Sequence, residues 1–148
     1  LFSLTAPLGM LLHPVVEKAK SGDDFRLDEL RKKRMTIFIG VVPTEIGTFR
    51  NLFDLFFKKA MIDVNVKQGL PENNPALKYQ CLLLMDDIPA FGKMSVIVNA
   101  VAFIAGYNLR LCGINQSPYL PEDIYGKEAA RTLTTNFACL VLYTPCHQ

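Results

Sequence analysis

An α/β fold with a mostly parallel sheet is what this sequence predicts, and three features predict it. Four apolar, nearly uncharged runs of strand length are spaced along the chain at 35–42, 79–87, 109–117 and 137–144. Between them lie stretches with helical periodicity or clear helix stop signals. Strands apolar along their whole length are the kind covered on both faces, and alternation with helices makes such a sheet parallel. Residues 1–34 then read as a helical lead-in and 35–148 as strand–helix repeats.

The bulk properties agree with a packed domain. Half of the 148 residues are hydrophobic, which excludes disorder and gives enough material for a core without disulfide staples. A net charge of +2 is too balanced to imply a nucleic-acid or membrane partner by itself. No run reaches the ~18 apolar residues of a membrane span. The opening LFSLTAPLGM has no basic leader and starts on Leu1, so the chain reads as a piece of something longer.

Taken in order, Asp24 precedes FRLDELRKK, acids early and bases late, as a helix dipole favours. RKKR (31–34) reads as a solvated helix end rather than a nucleic-acid patch. MTIFIGVV (35–42) is β-branched, uncharged and closed by Pro43, a buried-strand pattern. In the following segment Phe49, Leu52, Phe53, Phe56, Phe57 and Ala60 fall on one helical face, the signature of core packing. GLPENNPALK (69–78) is a loop by its Gly, Pro and Asn content. YQCLLLMDD (79–87) is a second strand, and SVIVNAVAFIAGYN (95–108) a helix stopping at Gly106. LRLCGINQS (109–117) is a third strand. PEDIYGKEAARTLTTN (121–136) is a helix with Pro121 at its start and a break at Gly126. FACLVLYT (137–144) is a fourth strand. Cys81, Cys112, Cys139 and Cys146 lack CxxC spacing and read as reduced core residues of a cytosolic chain, with no metal pair at Cys146–His147.

Ligands of parallel α/β sheets bind beyond the carboxyl ends of the strands. The second strand ends in Asp86-Asp87 and the third in Asn115-Gln116-Ser117. A carboxylate fixed at the end of a buried strand is suited to holding Mg²⁺ at a phosphate, and a following acid to orienting an attacking water. A neutral amide on the neighbouring strand can contact a terminal phosphate without repelling it. No G-x-x-x-x-G-K-S/T is present: Gly92-Lys93 is followed by Met94 and Gly126-Lys127 by Glu128. The phosphate cradle is missing, so these residues form at most half a nucleotide site.

Three segments, LLLMDDIPAFGKM, AFIAGYNLRLCGINQS and YLPEDIYGKEAARTLTTNFACLVLYT, resemble the coupling proteins of type IV secretion and conjugation (the TraG/TraD type), as does MTIFIGVVPTEIGTFRNLFDLFF. The resemblance covers roughly residues 20 to 145. It implies the C-terminal part of a RecA-like P-loop ATPase domain, with the P-loop half and membrane anchors outside this chain. It also implies ATP and Mg²⁺ as cofactors, a hexameric ring and a place on the cytoplasmic face of the bacterial inner membrane. The implied partners are the secretion machinery and its DNA–relaxase or protein effector cargo, with DNA itself among the contacts.

Position by position, the resemblance makes Asp86 the Mg²⁺-coordinating acid, Asp87 the water-polarising residue and Gln116 the γ-phosphate sensor. Relatives commonly carry Glu where Asp87 stands, so the reach of this carboxylate is shorter by one methylene. Some relatives carry an Arg where this chain has Ala105-Gly106-Tyr107, with Arg110 and Arg131 as the substitutes to consider. A ring-forming, substrate-contacting module with little hydrolysis, or another hexameric DNA translocase, are the alternatives. With the P-loop strand absent, strand 137–143 is expected to lose its neighbour and expose an apolar edge that invites self-association.

Overall fold

The computed structural model describes residues 9–22, 24–117 and 119–143. Helix α1 (Pro14–Lys20) leads to an irregular stretch with 3₁₀ turns at Leu27–Glu29 and Pro43–Glu45. Helix α2 (Ile46–Phe57) follows and continues as a wider π-helical segment, Lys58–Asn65. Strand β1 (Cys81–Met85), helix α3 (Ser95–Ala100) and strand β2 (Leu109–Gly113) form the centre. Helices α4 (Leu120–Tyr125) and α5 (Lys127–Asn136) follow, broken at Gly126, whose φ of 83° suits a residue without a Cβ. Among the described residues no helix is long and apolar enough to cross a membrane.

The α/β expectation holds in its coarse form. β1 and β2 pair in parallel, in register from Cys81 opposite Leu109 to Met85 opposite Gly113. The predicted face of α2 forms the core as its spacing requires: Phe49, Phe53 and Ala60 are buried, and Leu52 and Phe57 pack against the same clusters. One cluster gathers Phe49, Phe53, Met94, Ile97 and Tyr125 around Met85 and Ile88, at the carboxyl end of the strands. The other gathers Met61, Ala100 and Ile104 around Cys81 and Leu109, at their amino end.

Four expectations are corrected. Residues 35–42 form no strand: a cavity of ≈ 550 Å³, lined by Met35–Ile39 on one side and Cys81–Met85 on the other, separates them from β1. A strand needs a ladder partner as well as an apolar sequence, and here Phe38 is left 92% exposed. Among the described residues, 137–143 likewise have no ladder partner; Phe137 and Ala138 line a second cavity beside Leu109–Leu111, and position 144 lies outside the described residues. Among the described residues, helices do not cover both faces of the sheet. Cys81, Leu83, Met85 and Leu109 face the core, whereas Leu82 and Leu84, each 61% exposed, lie on the open face. Finally, Cys81 is buried but Cys112 and Cys139 are exposed thiols, and Cys146 and His147 lie outside the described residues.

RKKR is corrected too. Arg31 is 0% exposed, and its guanidinium donates to the carbonyls of Gly69 (3.2 Å), Tyr107 (2.7 Å) and Asn65. Asn65 in turn donates its side-chain amide to the Ala60 carbonyl, so side chains take up the carbonyls that the π-helical turn leaves loose. Burial pulls the Arg31 pKa below its ordinary value.

Candidate site at the carboxyl ends of the strands

Asp86 and Asp87 follow β1 directly, and Asn115-Gln116 follow β2 after one residue, Ile114. Because the strands are parallel and in register, both pairs leave the same edge of the sheet. Main-chain bonds continue the ladder past the last strand residues: Ile114 N–H donates to the Met85 carbonyl at 2.9 Å, and Ile88 N–H to the Ile114 carbonyl at 3.4 Å. The two turns are therefore stitched on either side of the acid pair. Gly113 allows this approach, since a Cβ there would run into the Cδ1 of Ile88.

Asp87 sits in the left-handed region, φ 52° and ψ 56°, where the chain turns out of β1 into the 3₁₀ turn Ile88–Phe91. Asp and Asn tolerate this conformation better than other residues with a Cβ. Asp86 and Gln116 are exposed and Asp87 is half-buried. Among the described residues neither carboxylate forms an ion pair, so their oxygens are left for a ligand. Among those residues there is also no group of three or more His, Cys, Asp or Glu that could hold a metal. Asp86 and Asp87 are the residues that could hold a cation such as Mg²⁺, which keeps several waters and takes one or two protein carboxylates beside a substrate phosphate.

The loop beyond Asp87 is held from two sides. Phe91 packs edge-on against Phe53 of α2, ring centres 5.1 Å apart. Gly92, at φ 68°, lies under the guanidinium of Arg50, whose Nη2 would be 2.6 Å from a Cβ. From α4, the buried hydroxyl of Tyr125 donates to the Gly92 carbonyl at 3.3 Å and accepts from the Met94 N–H at 3.4 Å. Burial raises the pKa of this phenol. Spacing alone singles out neither Arg50 nor Tyr125, although Tyr125 lies in YLPEDIYGK, within a segment that carries the resemblance.

The 550 Å³ cavity is not this site. It runs along β1 from Gln80 to Asp86 and its walls are largely Phe, Leu, Ile and Met, so Asp86 touches it only at one end. Arg110 is also remote from the acids: it pairs in register with Leu82 near the amino end of β1 and donates to the Ala105 carbonyl at 2.6 Å. Arg131 lies on the exposed side of α5.

Residues 1–148 match the family described as type IV secretory system conjugative DNA transfer. The chain is 28% identical over 129 residues to protein VirD4 of Rhizobium rhizogenes, covering 87% of this chain and 19% of that protein. The same figures hold for protein VirD4 of Agrobacterium fabrum. Conjugal transfer protein TraG of Escherichia coli is 25% identical over 107 residues, 70% of this chain and 17% of that protein. The chain thus spans about a fifth of the length of the curated relatives it matches. With the match running from end to end and the acid and amide turns set side by side, the chain belongs to the type IV secretory system conjugative DNA transfer family.

Proposed function

We propose that this chain supplies the hydrolytic edge of a RecA-like ATPase, a coupling protein that delivers cargo to a type IV secretion or conjugation channel. The observation that carries the reading is the stitching of the Asp86-Asp87 turn to the Ile114–Gln116 turn at one end of a parallel strand pair. In this reading Asp86 holds Mg²⁺, whose charge would offset that developing on the transferred phosphoryl oxygens. Asp87 orients the attacking water and accepts its proton, and the Gln116 amide donates to the terminal phosphate of ATP.

The phosphate cradle comes from elsewhere in the assembled protein, because no P-loop motif is present in these residues. The family's description as conjugative DNA transfer, and a relative's name, conjugal transfer protein TraG, support transfer of DNA as the work that hydrolysis drives. A hexameric ring on the cytoplasmic face of the inner membrane belongs to the same proposal.

The test is ATP turnover by the complete gene product. Asp86→Ala and Gln116→Ala are each expected to reduce it by two orders of magnitude or more while circular dichroism and the melting curve stay unchanged. Turnover at the wild-type rate in both variants would sink the assignment.

A further inference from the structure

We propose that Tyr125 is a positioning residue that ties the segment carrying Asp86 and Asp87 to the segment carrying Gln116, so that the two hydrolytic turns move as one. The inference rests on the ATPase reading of those turns and adds a residue that acts through the Gly92–Met94 backbone.

The tie closes a ring of bonded chain. From Asp87, the Ala90 N–H donates back to the Asp87 carbonyl at 2.9 Å and the Gly92 N–H to the Pro89 carbonyl at 3.0 Å. The Gly92 carbonyl and the Met94 N–H both meet the Tyr125 hydroxyl. From Tyr125 the chain runs back through α4 to Tyr119, whose N–H donates to the Ser117 hydroxyl at 3.3 Å, next to Gln116. Ile114 then closes the ring onto Met85.

Two features set this hydroxyl apart from one that merely caps a core aromatic. Tyr125 is only 6% exposed and Met94 0%, so both bonds lie away from solvent, where directional contacts hold position best. They also land on both sides of Lys93, one on Gly92 in the loop that follows the acid turn and one on Met94, the residue that caps α3. A Phe at this position would fill the same space and remove both of these bonds from the loop.

The experiment is Tyr125→Phe in the complete gene product, read in two ways. Steady-state hydrolysis is expected to show kcat lowered about tenfold or more with KM for ATP within about twofold, because the turns are misplaced while nucleotide still binds. Amide hydrogen exchange is expected to show Met94 and Ile88 exchanging about tenfold faster, with Leu83 and Cys112, whose N–H groups lie in the ladder, unchanged. Unchanged exchange at Met94 and Ile88 would overturn the tie. So would a wild-type kcat, or equal acceleration at Leu83 and Cys112, which marks a general stabiliser. If the unsubstituted protein hydrolyses no ATP, it is the ATPase reading that fails, and the exchange pattern still decides whether Tyr125 joins the two turns.

Discussion

Arg31 carries a full charge in a place where water does not reach it, and three main-chain carbonyls from residues 65, 69 and 107 take the place of a carboxylate partner. A guanidinium is suited to this because its donors fan out in a plane and remain charged when desolvated. Replacing it by Met keeps the stem and strands the carbonyls, so Arg31→Met is expected to cost ~3 kcal/mol of local stability. Residue-resolved hydrogen exchange at Cys81, whose N–H donates to the Asn108 carbonyl beside the Arg31 contact, would report it. Little of this was legible beforehand. Four consecutive basic residues announce charge but not which member faces inward, because the carbonyls that select Arg31 come from more than thirty positions away. The acids were legible for the opposite reason: Asp86-Asp87 stand where an uninterrupted apolar run stops, so the strand itself points to them.

Among the elements, β1, β2, α2 and the broken pair α4–α5 follow the sequence pattern closely, and 35–42 and 137–143 do not. The difference is one of partners. β1 and β2 satisfy each other's main-chain groups, whereas an apolar stretch without a ladder has composition in common with a strand and nothing more. The 95–108 helix is also shorter than expected: α3 ends at Ala100 and residues 104–107 form a 3₁₀ turn into the left-handed Asn108. At the join between β2 and the acid turn the close approach of Ile88 to Gly113 makes a sharp prediction. Gly113→Ala is expected to lower stability by about 1–3 kcal/mol and to reduce ATP turnover in the complete gene product. Adding Ile88→Val removes the offending Cδ1, and most of both losses should return in the double variant. No recovery in melting temperature or turnover would show that the contact is not what makes Gly113 necessary.

For the molecule as a whole, the apolar surface is the dominant feature. Leu82 and Leu84 on the open face, Phe38 beside the cavity, and Leu140, Val141, Leu142 and Tyr143 near the end of the described residues are all exposed. Isolated exposed hydrophobic side chains are ordinary, but a sheet face flanked by two unpaired apolar segments is a surface that seeks cover. The 148 residues produced alone are therefore expected to self-associate in sedimentation and to bind an apolar dye strongly. A sharp monomer with little dye signal would contradict this. The α/β class could be recognised from the alternation of runs, yet the extent of the sheet could not. Pairing depends on where each run comes to lie, and periodicity describes only the run itself.

The left-handed corner at Asp87 limits which acid can stand there. Carbon atoms added to its side chain would extend the reach toward a water, but a residue other than Gly, Asn or Asp enters that backbone region at a cost of order 1–3 kcal/mol. Reach and corner are thus in competition at one position. A longer carboxylate could be accommodated only if the turn between β1 and Ile88 relaxed, and that turn is fastened to β2. The identity of this acid and the shape of its corner are accordingly one property, expected to change together or not at all.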